Sequence, residues 1–195
     1  IGSNMPPVRT VEQDAERVGL LLEECPVGGL LLFNGGPDTG KTLDRLPAAP
    51  AGPLLVGSDI ERGGGQQVRG RTIFPHAAAF ERLGAEAESA VAEYARALAR
   101  EAHDVGIHIT FAPLTDVNSN PRNPIINTRA FSKDAQRAAA LTRAYVAAAE
   151  AAGLFTTAKH FPGHGQTERD SHDSLPSLPF NTEQLRSREL IPFQA

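Results

Sequence analysis

The fold is decided by the stretch LFTTAKHFPGHG, residues 154–165. Residues 154–158 combine apolar and β-branched side chains and predict a buried strand. A lysine and two histidines follow at once, and a proline and two glycines keep this part out of regular structure. Ionisable side chains that gather just past the C-terminal end of a strand are typical of the active face of an α/β barrel. The alternative is a polar surface loop, which the density of titratable groups disfavours.

The rest of the chain alternates between strand and helix patterns. Besides 154–158, buried strands are predicted at 27–33, 54–57 and 107–111. Apolar residues at helical spacing predict helices at 11–24, 85–104 and 134–152. The first strand segment is a continuous apolar run, which predicts a strand covered on both faces. This alternation predicts an α/β fold with a parallel sheet.

Polar clusters follow these strands. Asp59 comes directly after the second strand, and a long loop of turn-forming residues, 116–129, comes after the third. A loop of this length in a compact domain is more often functional than idle. The carboxyl ends of parallel strands meet at one end of the sheet, so the clusters favour a (β/α)8 barrel with its site on that face. Two simpler interpretations stay open, with Asp59 as a helix-capping acid and Arg129 as a surface arginine paired to an acid.

A second motif, GGPDTGKT at 35–42, satisfies the phosphate-loop pattern GxxxxGK[ST] after a strand. Phosphate binding there needs a helix that begins at the lysine. Because Pro47 follows so soon, only residues 42–46 remain for that helix, about one turn. A nucleotide site is therefore disfavoured, and no cofactor is expected.

The composition indicates a soluble globular protein of one domain. Of the 195 residues, 41% are hydrophobic and 22% are charged. A net charge of −4 and an isoelectric point near 5.9 argue against nucleic acid as a partner. The longest apolar run, 28–33, is too short to cross a bilayer. Cys25 is the only cysteine, so an intrachain disulfide is excluded and the redox compartment stays open.

The first residues, Ile1-Gly2-Ser3-Asn4 ahead of Met5, are expected to be a cloning remnant or a clipped start. The domain is therefore expected to cover residues 6–195. A lost targeting signal stays open, so a cytoplasmic location is only slightly favoured over an exported form.

Several segments together resemble one family. They are GGLLLF at 28–33, the loop 59–69, FAPLTDVN at 111–118, RAF at 129–131, KHFPGHG at 159–165 and DSH at 170–172. In this order they resemble the glycoside hydrolases of family 3, most closely the bacterial β-N-acetylglucosaminidases. The lysine–histidine segment with the DSH motif is the specific part of the resemblance, and the glycine pieces alone would be weak.

The resemblance implies a (β/α)8 barrel and the exo-acting hydrolysis of terminal β-N-acetylglucosaminides. The anomeric configuration would be retained through a covalent glycosyl-enzyme. The resemblance maps the general acid/base onto His172, paired with Asp170. It maps sugar binding onto five residues, Asp59, Arg69, Arg129, Lys159 and His160. The loop after Asp59 is longer than the shortest family versions, so Arg62 or Arg71 could take the place of Arg69.

The chemistry of the mapped acid/base pair agrees with this role. A histidine titrates near neutral pH, so His172 can protonate a leaving oxygen and later deprotonate water. The neighbouring carboxylate of Asp170 can orient the imidazole and stabilise its charged form. Most glycosidases use two carboxyl groups instead, so the histidine is a departure that this branch of the family explains.

The resemblance also implies that the chain carries only the N-terminal portion of the barrel. A complete barrel has about 250 residues. The nucleophilic aspartate of the family lies on a later strand, and no aspartate follows Asp173 in this chain. The remainder of the barrel is expected from the same chain or a partner chain. The 195 residues alone are expected to be marginally stable, because an open sheet exposes edges and apolar strand faces.

Several alternatives stay open beside this expectation. A β-glucosidase-like exo-glycosidase of the same family would place a glutamate acid/base in a later region. A sugar-binding protein would keep the recognition residues without a nucleophile, and a phosphorylase would use phosphate, which a neutral histidine does not repel. The aglycone could be a peptidoglycan fragment, a chitin oligomer or a glycan.

A zinc site formed by His160, His164 and His172 is not expected, although His160 and His164 are four residues apart. That spacing serves a metal when it lies on a helix, which Pro162 and Gly163 forbid here.

Overall fold

The computed structural model describes residues 1–48, 52–168 and 180–195. Within that part, three strands form one parallel sheet in the order β1-β2-β3. The strands are β1 Gly29–Leu31, β2 Leu55–Ser58 and β3 Ile109–Thr110. In register, Leu31 lies beside Gly57, and Gly57 lies beside Ile109. The predicted parallel α/β arrangement is confirmed.

The segment predicted as a fourth strand, 154–158, runs parallel to β3 but forms isolated pairs only. Phe155 pairs with Ile109, and further along Lys159 pairs with Leu114. Backbone hydrogen bonds join the two segments between these pairs. The segment thus runs parallel to the strands as far as Lys159, which lies at the carboxyl end of the sheet.

Helices connect the strands, and the three long ones lie where the sequence predicts them. The helices are α1 Val11–Glu24, α2 Thr39–Leu43, α3 Ala78–Glu81, α4 Ala87–Asp104, α5 Ala135–Ala151 and α6 Thr182–Gln184. Short 3₁₀ turns occur at Gly64–Gln66, Gly84–Glu86 and Asn127–Arg129, and a π turn occurs at Leu185–Glu189.

α1 begins at a reciprocal cap. The Thr10 hydroxyl accepts a hydrogen bond from the Gln13 N–H at 3.2 Å, and the Gln13 side chain accepts one from the Thr10 N–H at 2.9 Å. This capping box satisfies two backbone donors that the first turn would otherwise leave unpaired.

α4 and α5 pack side by side and supply half of the buried residues of the main core cluster. Their small alanine side chains allow the two helices to approach closely. Buried residues of this interface include Val91, Ala95, Leu98, Leu141, Tyr145 and Ala149. At the ends of the helices, His103 Nε2 lies 2.9 Å from the Ala152 carbonyl oxygen and so links the end of α4 to the end of α5.

One face of the sheet is open within the described part of the chain, so the described residues alone do not cover the strand at 27–33 on both faces, as its apolar run predicts. Leu31, Leu55 and Phe155 are 52%, 46% and 60% exposed. Strand register places them on the same face, because side chains alternate along each strand. The opposite face carries Leu32 and Val56, which are 0% and 3% exposed. The physical reason is that the described helices bury only this second face.

Residues 1–2 pack against the domain, although the domain is predicted to begin at residue 6. The Ile1 amino group donates to the Leu31 carbonyl, and the Phe33 N–H donates to the Ile1 carbonyl at 2.9 Å. Gly2 has a φ of 73°, and a Cβ there would lie 1.9 Å from the Phe33 carbonyl oxygen. Only glycine fits this close approach. The origin of residues 1–5 stays a prediction.

The GGPDTGKT segment leads only into the five-residue helix α2, a short helix of the kind that Pro47 predicts. Lys41 Nζ lies 2.8 Å from Asp38 Oδ1, and both side chains are exposed. None of the helices in the described ranges is long and apolar enough to cross a membrane.

Candidate active site

Lys159 is the centre of a charged cluster at the carboxyl ends of the strands. Its Nζ lies 2.8 Å from Asp59 Oδ1 and 2.8 Å from Glu61 Oε1. Asp59 directly follows β2, and Lys159 follows the segment that runs beside β3. The Lys159 side chain is only 15% exposed, so these ion pairs are partly shielded from water and stronger than ordinary surface pairs.

Arg129 closes the cluster from the loop that follows β3. Its Nε and Nη2 donate to the two carboxylate oxygens of Glu61 at 3.0 and 2.8 Å, and its Nη1 donates to the Ile125 carbonyl at 2.8 Å. This is the bidentate geometry for which a guanidinium is preorganised. The 3₁₀ turn Asn127–Arg129 holds the arginine at this point of the loop.

The electrostatics of the cluster depend on Glu61, whose side chain is 13% exposed. Burial alone would raise the pKa of its carboxyl, but Arg129 and Lys159 outweigh burial and hold that pKa below its usual value. Burial acts to lower the pKa of Arg129, and its bonds to Glu61 outweigh this and raise it. Glu61 and Arg129 therefore keep their charges, and the ion pairs among Glu61, Arg129 and Lys159 fix the three side chains in place.

Asp116 organises the histidine segment next to this cluster. Its side chain is completely buried, and its Oδ2 accepts hydrogen bonds from the His160 N–H at 3.1 Å and from His160 Nδ1 at 2.8 Å. Its Oδ1 accepts from the His164 N–H at 2.6 Å. One carboxylate thus fixes both ends of the segment 160–164.

The loop after β3 also holds the residues that follow this segment. Asn123 Nδ2 donates to the His164 carbonyl at 2.8 Å, and Asn120 Nδ2 donates to the Gln166 carbonyl at 3.1 Å. Ser119 donates to Gln166 Oε1 at 2.8 Å. The length of this loop, which suggested function from the sequence, therefore serves to support the chain at 164–166.

Glu189 packs against the histidine segment at Gly163. It is fully buried, and its Oε1 accepts from Arg188 Nε at 2.6 Å. Burial raises the pKa of its carboxyl. Gly163, with φ of 136°, lies directly against it, because a Cβ on Gly163 would come within 2.8 Å of Glu189 Oε2. The glycine is required both by conformation and by the close packing.

A cavity of about 280 Å³ lies beside this segment. It is lined by residues 160–164 together with Thr167, Phe180 and Leu185. The ring centroids of His160 and His164 lie 5.8 Å apart. Within the described ranges, no group of three or more histidine, cysteine, aspartate or glutamate side chains could hold a metal ion.

The structure brings together three of the residues singled out in the sequence, Asp59, Arg129 and Lys159, around Glu61. His160 directly follows Lys159, and its ring pairs with Asp116. Arg69 differs from them. It is exposed, and its side chain forms no hydrogen bond or ion pair with the described residues. Arg62 and Arg71, the two possible replacements for Arg69, have partners outside the charged cluster. Arg62 Nε donates to the Phe74 carbonyl at 3.1 Å, and Arg71 pairs with Asp104 at 2.9 Å.

The proposed acid/base residues, His172 and Asp170, lie outside the described residues. Their roles, like those of the sugar-binding residues, stay predictions.

Two residues of the candidate site, Glu61 and Asp116, were not singled out by the sequence analysis. A signal existed for Glu61, because it lies two residues after Asp59 in the same outgoing loop. Asp116 opens the polar stretch after β3, but its burial beneath the histidine segment depends on a contact across 44 residues. Sequence spacing alone does not reveal such a contact.

Residues 8–195 match the family model described as the glycosyl hydrolase family 3 N-terminal domain. The chain belongs to glycoside hydrolase family 3. The resemblance and the α/β barrel fold inferred from the sequence are therefore confirmed, and the charged cluster lies at the carboxyl ends of the strands, as expected for a barrel of this type.

Relatives within family 3 are named as hexosaminidases. The chain is 38% identical over 164 residues to a β-N-acetylglucosaminidase/β-glucosidase of Cellulomonas fimi, which covers 84% of this chain and 29% of the relative. It is 33% identical over 176 residues to a β-hexosaminidase of Pseudomonas aeruginosa, with 89% of this chain and 53% of the relative covered.

Solved structures of family 3 enzymes share this fold. A β-N-acetylglucosaminidase from Paenibacillus superimposes with a TM-score of 0.83 at 34% identity, over 95% of this chain and 36% of the other. NagZ from Neisseria gonorrhoeae, in complex with N-trifluoroacetyl-D-glucosamine, gives 0.79 at 28% identity, over 92% and 56%. The chain thus spans about half the length, or less, of each of these relatives.

Proposed function

We propose that this chain supplies part of the active site of an exo-acting, retaining β-N-acetylglucosaminidase. The observation that supports this most is the cluster formed by Lys159 with Asp59, Glu61 and Arg129, next to His160. The names of the family 3 relatives from Cellulomonas fimi and Pseudomonas aeruginosa support the same substrate class.

The cluster has the chemistry to bind sugar hydroxyls. Asp59, which is 43% exposed, offers carboxylate acceptors, and Lys159 offers ammonium donors. Charged groups make stronger hydrogen bonds to hydroxyls than neutral groups do. The ion pairs around Glu61 hold the donors rigid before the sugar arrives, which lowers the entropic cost of binding.

The bond-breaking step is assigned to His172, with Asp170 as its partner. The imidazolium form would protonate the glycosidic oxygen as the bond from C1 to the leaving group breaks and the nucleophilic carboxylate bonds to C1. The neutral imidazole that results would then deprotonate the water that hydrolyses the glycosyl-enzyme. Asp170 would orient the ring and stabilise the imidazolium. The nucleophilic aspartate would come from barrel elements outside this chain.

The open sheet face supports the proposal that further barrel elements cover this chain. Leu31, Leu55 and Phe155 form an apolar surface that water would otherwise meet. We propose that the covering elements belong to the same polypeptide or to a partner chain. The partner recognised at the site itself is a small carbohydrate.

Hydrolysis of nitrophenyl β-N-acetylglucosaminide by the full-length protein tests the proposal, with the nitrophenyl β-glucoside and His172→Ala alongside. Selective turnover of the N-acetylglucosaminide that falls by about 10²- to 10⁴-fold in His172→Ala supports it. Turnover that is unchanged in His172→Ala refutes the assigned acid/base.

A β-glucosidase is the second candidate, because the relative from Cellulomonas fimi carries both activities in its name. Comparable rates on the two nitrophenyl substrates would favour a dual-specificity enzyme. Binding of N-acetylglucosamine without turnover of either substrate would favour a sugar-binding protein.

A further inference from the structure

Asp116 is a buried carboxylate whose bonds all go to one segment. It accepts two backbone N–H groups and one ring nitrogen, at 3.1, 2.6 and 2.8 Å, from His160 and His164. Within the described residues, His160 is the only ionisable side chain that pairs with it. A buried carboxylate needs such donors, since an unpaired charge is costly in the protein interior.

The bond from Asp116 decides which ring nitrogen of His160 carries the proton. An ionised carboxylate has acceptors only, so the nitrogen 2.8 Å away, Nδ1, must carry the hydrogen. In a neutral imidazole the other nitrogen, Nε2, is then an acceptor. The His160 side chain is 37% exposed and lines the 280 Å³ cavity, so Nε2 is accessible to a ligand.

We infer that Asp116 is a positioning residue that holds His160 as the Nδ1–H tautomer and presents Nε2 as a hydrogen-bond acceptor for a sugar hydroxyl. The inference about the hydroxyl rests on the proposed function, whereas the tautomer rests on the geometry of Asp116 alone. This acceptor belongs to the residue that directly follows Lys159 in the chain and that lines the 280 Å³ cavity.

Replacement of Asp116 by asparagine turns one of the two hydrogen-bond acceptors of this side chain into a donor, because one carboxylate oxygen becomes an NH₂ group. If that group faced the His164 N–H, two donors would meet at the position of the shortest bond, 2.6 Å. The amide therefore turns its NH₂ toward His160 and donates to Nδ1. It keeps the short bond from the His164 N–H and gives up the longer one, at 3.1 Å, from the His160 N–H. His160 then carries its proton on Nε2, and the acceptor for the sugar is lost.

The tautomer is measured by two-bond ¹H–¹⁵N spectra of the full-length protein labelled with ¹⁵N-histidine. The spectra are recorded at about pH 8, above the usual histidine pKa, and His160→Gln assigns the signals. We expect Nδ1–H with an unprotonated Nε2 in the wild type, and the opposite tautomer in Asp116→Asn. A wild-type spectrum with Nε2–H overturns the inference even if Asp116→Asn does not fold.

Asp14→Asn is the matched control, because Asp14 is also a buried carboxylate, 2% exposed, and is bound by Arg17 and Gly2 away from the histidines. We expect it to leave the His160 tautomer unchanged. An unchanged tautomer in folded Asp116→Asn overturns the inference, and so does a flipped tautomer in Asp14→Asn.

N-acetylglucosamine, added to the labelled wild type, separates this inference from the proposed function. A shift of the His160 Nε2 signal supports both the inference about Asp116 and the proposed sugar site. An unmoved signal with the Nδ1–H tautomer refutes the hydroxyl contact and counts against the proposed sugar site, but the positioning role of Asp116 stands. In the glycosidase assay we expect kcat/KM to fall about 10- to 100-fold in Asp116→Asn, as for loss of a hydrogen bond at a charged site.

Discussion

Glu61→Gln tests how strongly the charged cluster is held together. The substitution keeps the shape of the side chain but removes the charge that pairs with Arg129 and Lys159 at 2.8 Å each. All three side chains are less than a third exposed, at 13%, 26% and 15%, so solvent screens the pairs only in part. We expect the free energy of unfolding at neutral pH to fall by about 2–4 kcal/mol, because two cations lose a partly buried partner.

The same substitution predicts a pH dependence with a defined sign. The pKa of Glu61 in the folded protein lies below its ordinary value, so the unfolded state binds this proton more readily. The stability from the ionised carboxylate is therefore fully present above about pH 4.5, the ordinary value, and is lost as the pH falls through the folded-state pKa. The difference between wild type and Glu61→Gln should narrow below that pH.

Urea denaturation of the full-length protein between about pH 7 and about pH 3 measures both quantities. Glu168→Gln is the matched control, because its pair with Arg122 is exposed at 55% and 78% and should contribute less than about 1 kcal/mol. A loss in Glu61→Gln no larger than in this control, or one that does not vary with pH, would refute the reasoning.

Three further outcomes follow from the packing. Gly163→Ala should destabilise the full-length protein by about 1–3 kcal/mol in denaturant titrations, because φ is positive there and the added Cβ would meet Glu189. Gly28→Ala is the control, since the space around Gly28 is open, and it should cost less than about 1 kcal/mol. His103→Ala should lower the melting temperature by a few degrees through loss of the bond to Ala152, with kcat/KM unchanged. The 195 residues produced alone should melt broadly or associate in scanning calorimetry, because apolar strand side chains are exposed; a sharp, concentration-independent transition would contradict this.

The helices were predictable because their signals are local. α1 occupies the predicted residues 11–24, since Thr10 and Gln13 supply the cap and Pro26 follows the end. The burial of β1 was not predictable in the same way. An apolar run such as 27–33 reports that a strand can be buried, but which of its faces is covered depends on elements distant in sequence.

The candidate site was predictable where residues directly follow strands. Asp59 and Lys159 meet because parallel strands deliver their carboxyl ends to one place. Arg69 shows where position after a strand stops being informative. A glycine-rich turn at 63–65 lies between β2 and Arg69, and the Arg69 side chain is exposed. Asp116 shows another limit, because its role arises from burial beneath a segment 44 residues away.

The affinity of the full-length protein for N-acetylglucosamine, with Lys159→Met beside it, tests the sugar site most directly. Lys133→Met, at an exposed lysine outside the cluster, is the control for loss of charge, and circular dichroism checks that each variant folds. Titration calorimetry should show binding by the wild type and by Lys133→Met, and at least about tenfold weaker binding by folded Lys159→Met. Equal affinity in all three proteins would contradict the assignment of the cluster to the sugar.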